Sequence, residues 1–174
     1  MSTTSETLIP QPICPRCHSG FVRRSRRTGL VDHLISSFSI YPFRCQLCKH
    51  RFLRIRKGLT FKRIDEDRRE YERLPVNLTT TFTIGTVRGQ GVVKDISMAG
   101  CSLGTETYLE VGDILHIELQ LPNQTDPVDI EAAILRSAYS NHARIEFLRF
   151  ESGNRERLQH YIRELISDAP SRKA

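Results

Sequence analysis

The stretch Asp95-Ile96-Ser97-Met98-Ala99-Gly100 closes a strand-like run with residues that a simple turn does not need. Asp95 and Ser97 are two apart, so on an extended segment both side chains point the same way. Gly100 permits a backbone conformation that other residues avoid. An acid and a hydroxyl on one wall suit the edge of a nucleotide base.

Around this stretch, apolar and polar residues alternate in short runs: Leu78 to Ile84, Gly91 to Ile96, Ile114 to Leu121, Val128 to Ser137 and Ala143 to Phe150. Gly85, Gly89, Gly112-Asp113 and Pro122-Asn123 punctuate them at the spacing of a small barrel or sandwich. A compact antiparallel β domain is expected. Beyond the last run, Leu158, Tyr161, Ile162 and Leu165 recur at i, i+3, i+4, i+7, which predicts a helix packed on one side of the barrel. Asp168-Ala169-Pro170 ends that helix, leaving residues 169–174 as a flexible tail.

Upstream stands Arg68-Arg69-Glu70-Tyr71-Glu72-Arg73-Leu74-Pro75. Arg69 and Arg73 are four apart, so on a helical or coiled piece they project from one side and offer two guanidinium forks to one anion. A surface turn with Glu and Arg pairs, worth a few tenths of a kcal/mol, has the same spacing.

Taken together, Arg69-x-x-x-Arg73 and Asp95-x-Ser97-x-x-Gly100 in a β-rich domain resemble the PilZ domain, over roughly residues 65 to 166. The resemblance implies a mainly β fold: a six-stranded antiparallel barrel with a C-terminal α-helix. It also implies a bacterial receptor for cyclic di-GMP, often bound as an intercalated dimer. Arg69 and Arg73 would then take the ligand, because Arg forks match phosphate oxygens and the O6/N7 edge of guanine. Asp95 would accept from guanine N1 and N2, Ser97 would add a second hydrogen bond, and Gly100 would let the chain turn beneath the ring. Arg68 would supply a third guanidinium. Arg136 sits where some relatives place a ring-stacking or phosphate-contacting residue. Cys101, on the same side of a strand as Leu103, reads as a small core residue.

Charge separates the chain into two parts. Residues 1–60 hold 11 Lys and Arg against Glu6 and Asp32, a balance of +9, while residues 61–174 hold 15 bases and 18 acids, a balance of −3. Two modules with different partners are expected: a flexible N-terminus over 1–12, a metal module over 13–57, a linker over 58–67 and the barrel domain over 68–168.

The basic module carries Cys14-Pro15-Arg16-Cys17 and Cys45-Gln46-Leu47-Cys48. In each pair the two-residue spacer lets a turn aim both sulfurs at one ion, and two such knuckles supply the four thiolates of a tetrahedral zinc site. His18, His33 and His50 read as loop residues, not ligands, because four thiols already fill the set. A short amphipathic helix is expected from Leu30, Val31, Leu34, Ile35 and Phe38, and a strand from Arg51 to Arg56. The module resembles a zinc ribbon, with zinc structural and supplying the folding free energy. Zinc ribbons often bind nucleic acid or protein; an arginine-rich face attracts phosphate, whereas basic residues also solvate a small module and balance its thiolates.

No run reaches the roughly 18 to 20 apolar residues of a membrane span, and the polar N-terminus lacks a signal-peptide pattern, so a cytoplasmic protein with no membrane insertion is expected. There is no P-loop, no nucleophile with a matching base and no cyclase or phosphodiesterase signature, which argues against an enzyme. The expected function is a cyclic di-GMP receptor whose binding event changes module arrangement or the binding of a downstream protein. Two other readings stand beside it: a nucleic-acid-binding ribbon with the barrel as sensor or scaffold, and a PilZ adaptor that binds no nucleotide.

Overall fold

A computed structural model describes residues 12–25, 40–55 and 71–168. The chain divides into two compact units, Met1–Glu70 and Tyr71–Ala174, each with its own sheet. Arg68, Arg69, His33, the helix expected near residues 30–38, the linker at 58–67 and the C-terminal tail lie outside the described residues.

In the first unit, strands β1 (Val22–Arg24), β2 (Ile40–Cys45) and β3 (Arg51–Ile55) form an antiparallel sheet in the order β1-β2-β3. Its apolar interior is small. Phe43 is buried and stacks on Phe52 with ring centroids 6.0 Å apart, and Pro42, Leu47, Cys14 and Cys45 are the other buried apolar side chains among its described residues.

The second unit is a closed barrel in the order β4-β5-β6-β9-β8-β7. Its strands are β4 (Leu74–Ile84), β5 (Val87–Ser97), β6 (Gly100–Gly104), β7 (Ile114–Leu119), β8 (Val128–Tyr139) and β9 (His142–Arg149). Every neighbouring pair is antiparallel, including β4 with β7, so no strand of the barrel is left as an open edge. Inward side chains such as Phe82, Val93, Ile96, Leu103, Ile117 and Leu135 fill it. Helix α1 (Asn154–Asp168) buries Leu158, Tyr161 and Ile162 and packs on β8. Arg157 fastens its first turn to the β7–β8 loop by donating to the carbonyl oxygens of Pro127 and Asp126 and to Gln124 Oε1. Among the described residues no helix is long and apolar enough to cross a membrane.

Several local expectations are corrected. Alternation marks five runs in this unit; the sixth strand, β6, is Gly-Cys-Ser-Leu-Gly, too short and glycine-rich to stand out. Gly89 is not a turn residue but lies within β5, where a Cβ would meet the Phe82 ring at 2.4 Å. The actual turn between β4 and β5 uses Gly85, whose φ is +55°. β4 also begins earlier than its alternation suggests: it runs through Pro75, with an irregularity between Pro75 and Leu78 that absorbs the missing N–H.

Candidate functional site

Two bulges decide what the outside of the barrel presents. Along β5 the inward residues are Gly89, Gly91 and Val93, and strict alternation would turn Asp95 inward as well. The register slips by one residue between Val93 and Asp95, so Lys94 is extra, Ile96 becomes the buried residue and Asp95 faces out. The compensating irregularity in β4 places Leu74 opposite Ile96 and Pro75 opposite Asp95. Arg73, two before Pro75, is thereby brought to the same outer face. Its Nη1 donates to Asp95 Oδ1 at 2.8 Å, with the two side chains 21% and 34% exposed. The two sequence motifs, 22 residues apart, meet here as an ion pair.

Following the register outward from Asp95 gives a row of directly opposed residues across five strands: Pro75, Asp95, Ser102, Arg144 and Ser137. Ser102 is small, so it forms a shelf between Asp95 and the exposed Arg144, and the small Ser137 lies on the far side of Arg144. Nothing in the spacing of Ser102, Ser137 or Arg144 along the chain marks them, since only strand register aligns them.

Ser97 and Gly100 have structural tasks at this site. Ser97 is buried; its hydroxyl donates to the Gly100 carbonyl at 3.1 Å and accepts from the Ala99 N–H at 3.3 Å, pinning the two-residue turn that joins β5 to β6. That spends its single proton, leaving a lone pair as the group it offers a ligand. Gly100 does not adopt the left-handed conformation expected of it. It is required for a different reason: a Cβ there would stand 2.1 Å from the Ile145 carbonyl oxygen and 3.1 Å from Glu146 Cα. Gly100→Ala is therefore expected to push β6 from β9 and destabilise the barrel by about 3 kcal/mol; a urea unfolding midpoint equal to wild type would contradict this.

Arg136 occupies a bulge between Leu135 and Ser137 and is held by Glu146, Nε to Oε2 at 2.6 Å, on the exposed outer surface. It is not joined to the Arg73–Asp95 pair. Cys101 is fully inside, as is Leu103. Burial pushes its thiol up to about 12, with Arg73 drawing it down and Asp95 pushing it further up. Iodoacetamide at pH 8 is expected to leave Cys101 unmodified in the folded protein and to label it in urea, as read by peptide mass mapping; rapid native labelling would contradict its placement.

A cleft of about 600 Å³ lies elsewhere on the barrel, between the loop that follows β6 and the β8–β9 turn, and is lined by Thr107, Tyr108, Val111 and Tyr139 among others. None of the motif residues lines it.

In the first unit the sulfurs of Cys14, Cys17, Cys45 and Cys48 lie within 4.8 Å of one another, with Cys14 Sγ to Cys48 Sγ and Cys17 Sγ to Cys45 Sγ each 3.5 Å. The two knuckles repeat one geometry. The Cys14 N–H donates to Ser19 O and the Cys45 N–H to His50 O, each at 2.9 Å, and each knuckle is followed by a left-handed residue, His18 at φ 56° and Lys49 at φ 63°. Such residues are uncommon without glycine and mark backbone held by its surroundings. Burial raises the Cys45 and Cys48 thiols, and despite burial the Cys17 and Arg16 backbone N–H groups lower Cys14. Four sulfurs this close suit a tetrahedral divalent ion, whose charge is what would keep all four as thiolates. Among the described residues the cluster contains no histidine; His50 instead stacks against Phe52.

Among solved structures the chain is similar to the PilZ domain of CeSA from a cellulose-synthesizing bacterium, at 16% identity and a TM-score of 0.42, over 55% of this chain and 96% of that one. It is also similar to the Bacillus subtilis inhibitor of motility (MotI/DgrA), at 20% identity and a TM-score of 0.47, over 58% of this chain and 52% of that one. No curated protein matches by sequence. The family model for the PilZ domain matches residues 67–164, more than half of the 174 residues, and the chain belongs to the PilZ domain family.

Proposed function

We propose that the barrel is a receptor for cyclic di-GMP, with Arg73 and Asp95 as the central pair of its site and Arg68 and Arg69 as further phosphate ligands from the preceding segment. The observation that carries this reading is the meeting of the two motifs on one outer face, with Arg73 and Asp95 2.8 Å apart. Guanidinium and carboxylate offer what a guanine nucleotide needs: donors for phosphate oxygens or O6/N7, and an acceptor for N1 and N2. Arg73 and Asp95 neutralise each other in this pair, so ligand binding would replace or reshape it. Ser97 and Gly100 support the site by shaping the turn beneath it, and Arg136 is a candidate contact at its far side once released from Glu146. No catalytic step is proposed. Binding would act through module arrangement or a downstream protein partner, in a cytoplasmic setting.

The four cysteines are proposed to hold structural zinc, so that the first unit is a zinc ribbon over residues 13–57 joined by a linker at 58–67 to the domain at 68–168. The test of the receptor reading is calorimetry on the full, metal-loaded chain. Saturable binding of cyclic di-GMP is expected, and a folded sample that gives no heat and no competition at millimolar ligand would sink it.

One observation favours nucleic acid as a second ligand, at the ribbon. Arg23 opposes Arg44, and Arg44 opposes Arg51, so three arginines align across the sheet. A row of arginines attracts phosphate whatever the sequence behind it. Binding of single-stranded DNA or RNA that weakens steeply with salt and is lost on deleting residues 1–60 would support this reading; salt-independent binding would not.

A further inference from the structure

We propose that Arg144 is the residue that makes the site selective for guanine, reading the O6/N7 edge of a base whose N1/N2 edge is held by Asp95. This rests on the receptor reading above and adds a residue that neither motif contains. Three observations carry it. The register places Arg144 in the same outer row as Asp95, separated only by Ser102. Its cross-strand neighbour on the Asp95 side, Ser102, is small and uncharged, so a flat ring can lie over it between Asp95 and Arg144, and Ser137 on the far side of Arg144 is small as well. Third, the other arginines on the barrel strands all have a carboxylate: Arg88 with Glu118, Arg136 with Glu146 and Arg149 with Glu131. For Arg144 the described residues supply no such partner, although Glu146 lies two residues along the same strand.

The dimensions agree. Asp95 and Arg144 are two strands apart, about 9.5 Å at the usual interstrand spacing. That span accommodates one purine with a hydrogen bond at either side. Guanine presents N1–H and N2–H donors along one edge, which a carboxylate accepts, and O6 and N7 acceptors on the adjoining edge, which a guanidinium fork meets bidentately. Adenine fits neither end: its N6 amino group would face the Arg144 donors, and its N1 lacks the proton that Asp95 requires. Arg144 therefore discriminates through base chemistry, whereas an arginine serving only phosphate would favour any cyclic dinucleotide equally.

The experiment is calorimetry, with displacement for weak ligands, of cyclic di-GMP and cyclic di-AMP on the full zinc-loaded chain. It compares wild type with Arg144→Ala, Arg144→Lys and Arg149→Ala, the last being an exposed β9 arginine outside the site. Arg144→Ala is expected to weaken cyclic di-GMP by about tenfold to a hundredfold while leaving cyclic di-AMP nearly unchanged, so the preference for guanine shrinks. Arg144→Lys is expected to recover only a minor part, because an ammonium keeps the charge but not the fork, and Arg149→Ala is expected to match wild type. Cyclic di-GMP binding within threefold of wild type in Arg144→Ala, an equal loss for both nucleotides, or full rescue by lysine would each overturn the assignment. Wild type that fails to bind cyclic di-GMP would overturn the receptor reading instead, and this one with it. Thermal melting of each variant checks that the barrel is intact, and the lysine variant carries the test if the alanine variant misfolds.

Discussion

Chelating the ion proposed at Cys14, Cys17, Cys45 and Cys48 is expected to unfold the β1-β2-β3 sheet while the barrel stays folded. The size of the effect follows from what the sheet lacks. Its described apolar interior consists of Pro42, Phe43 and Leu47 besides the cysteines, and burying a side chain such as Phe43 or Leu47 contributes about 1.5–3 kcal/mol. Ordering the backbone of these segments costs about 1–2 kcal/mol per residue. A structural zinc, worth about 10–16 kcal/mol at neutral pH, is the largest single stabilising contribution open to so small an interior. The measurement is amide exchange by mass spectrometry after the metal has been removed and its removal verified. Protection should vanish across residues 40–55 and persist in β4 to β9. Undiminished protection in the metal-free sheet would refute the claim. Acid should act in the same direction. Desolvation raises the thiols of buried Cys45 and half-buried Cys48, and metal binding requires release of their protons, so apparent zinc affinity is expected to fall as pH falls.

The second large effect concerns Arg73 and Asp95. Replacing either with alanine is expected to reduce cyclic di-GMP affinity by roughly tenfold to a hundredfold, corresponding to about 1.5–3 kcal/mol for a charge-assisted bond lost from a partly desolvated site. The same substitutions are expected to change barrel stability by less than about 1 kcal/mol, because a partly exposed ion pair contributes little. This contrast separates a binding role from a structural one. A fall in melting temperature without loss of affinity would assign the pair to the fold, and unchanged affinity would move the site elsewhere. Because Arg73 and Asp95 are in direct contact, the two losses should not add: removing Asp95 also frees Arg73, and the double variant should lose less than the sum.

Legibility followed the range of the interaction. Cys-x-x-Cys needs only a local turn to bring two sulfurs together, so the four sulfurs that cluster could be named from the chain. The helix stripe at Leu158, Tyr161 and Ile162 is equally local and is buried as its spacing requires. Strand edges were harder. β6 is five residues with two glycines and has no alternation long enough to register, and Gly89 looks like a turn but gives space to the Phe82 ring. Gly100 was marked as special, yet its reason is a strand some 45 positions away, where Ile145 O leaves no room for a Cβ.

By itself the order of residues determined the two modules, the sulfur set and the two motifs, since each depends on composition or on neighbours a few positions apart. Only the tertiary structure decided which way Asp95 faces, that Arg73 meets it, that Ser97 spends its proton on a turn, and that Arg144 rather than Arg136 stands in line with Asp95. The physical reason is strand register: one extra residue at Lys94 reverses every side chain beyond it, and pairing between distant strands chooses which outward residues become neighbours.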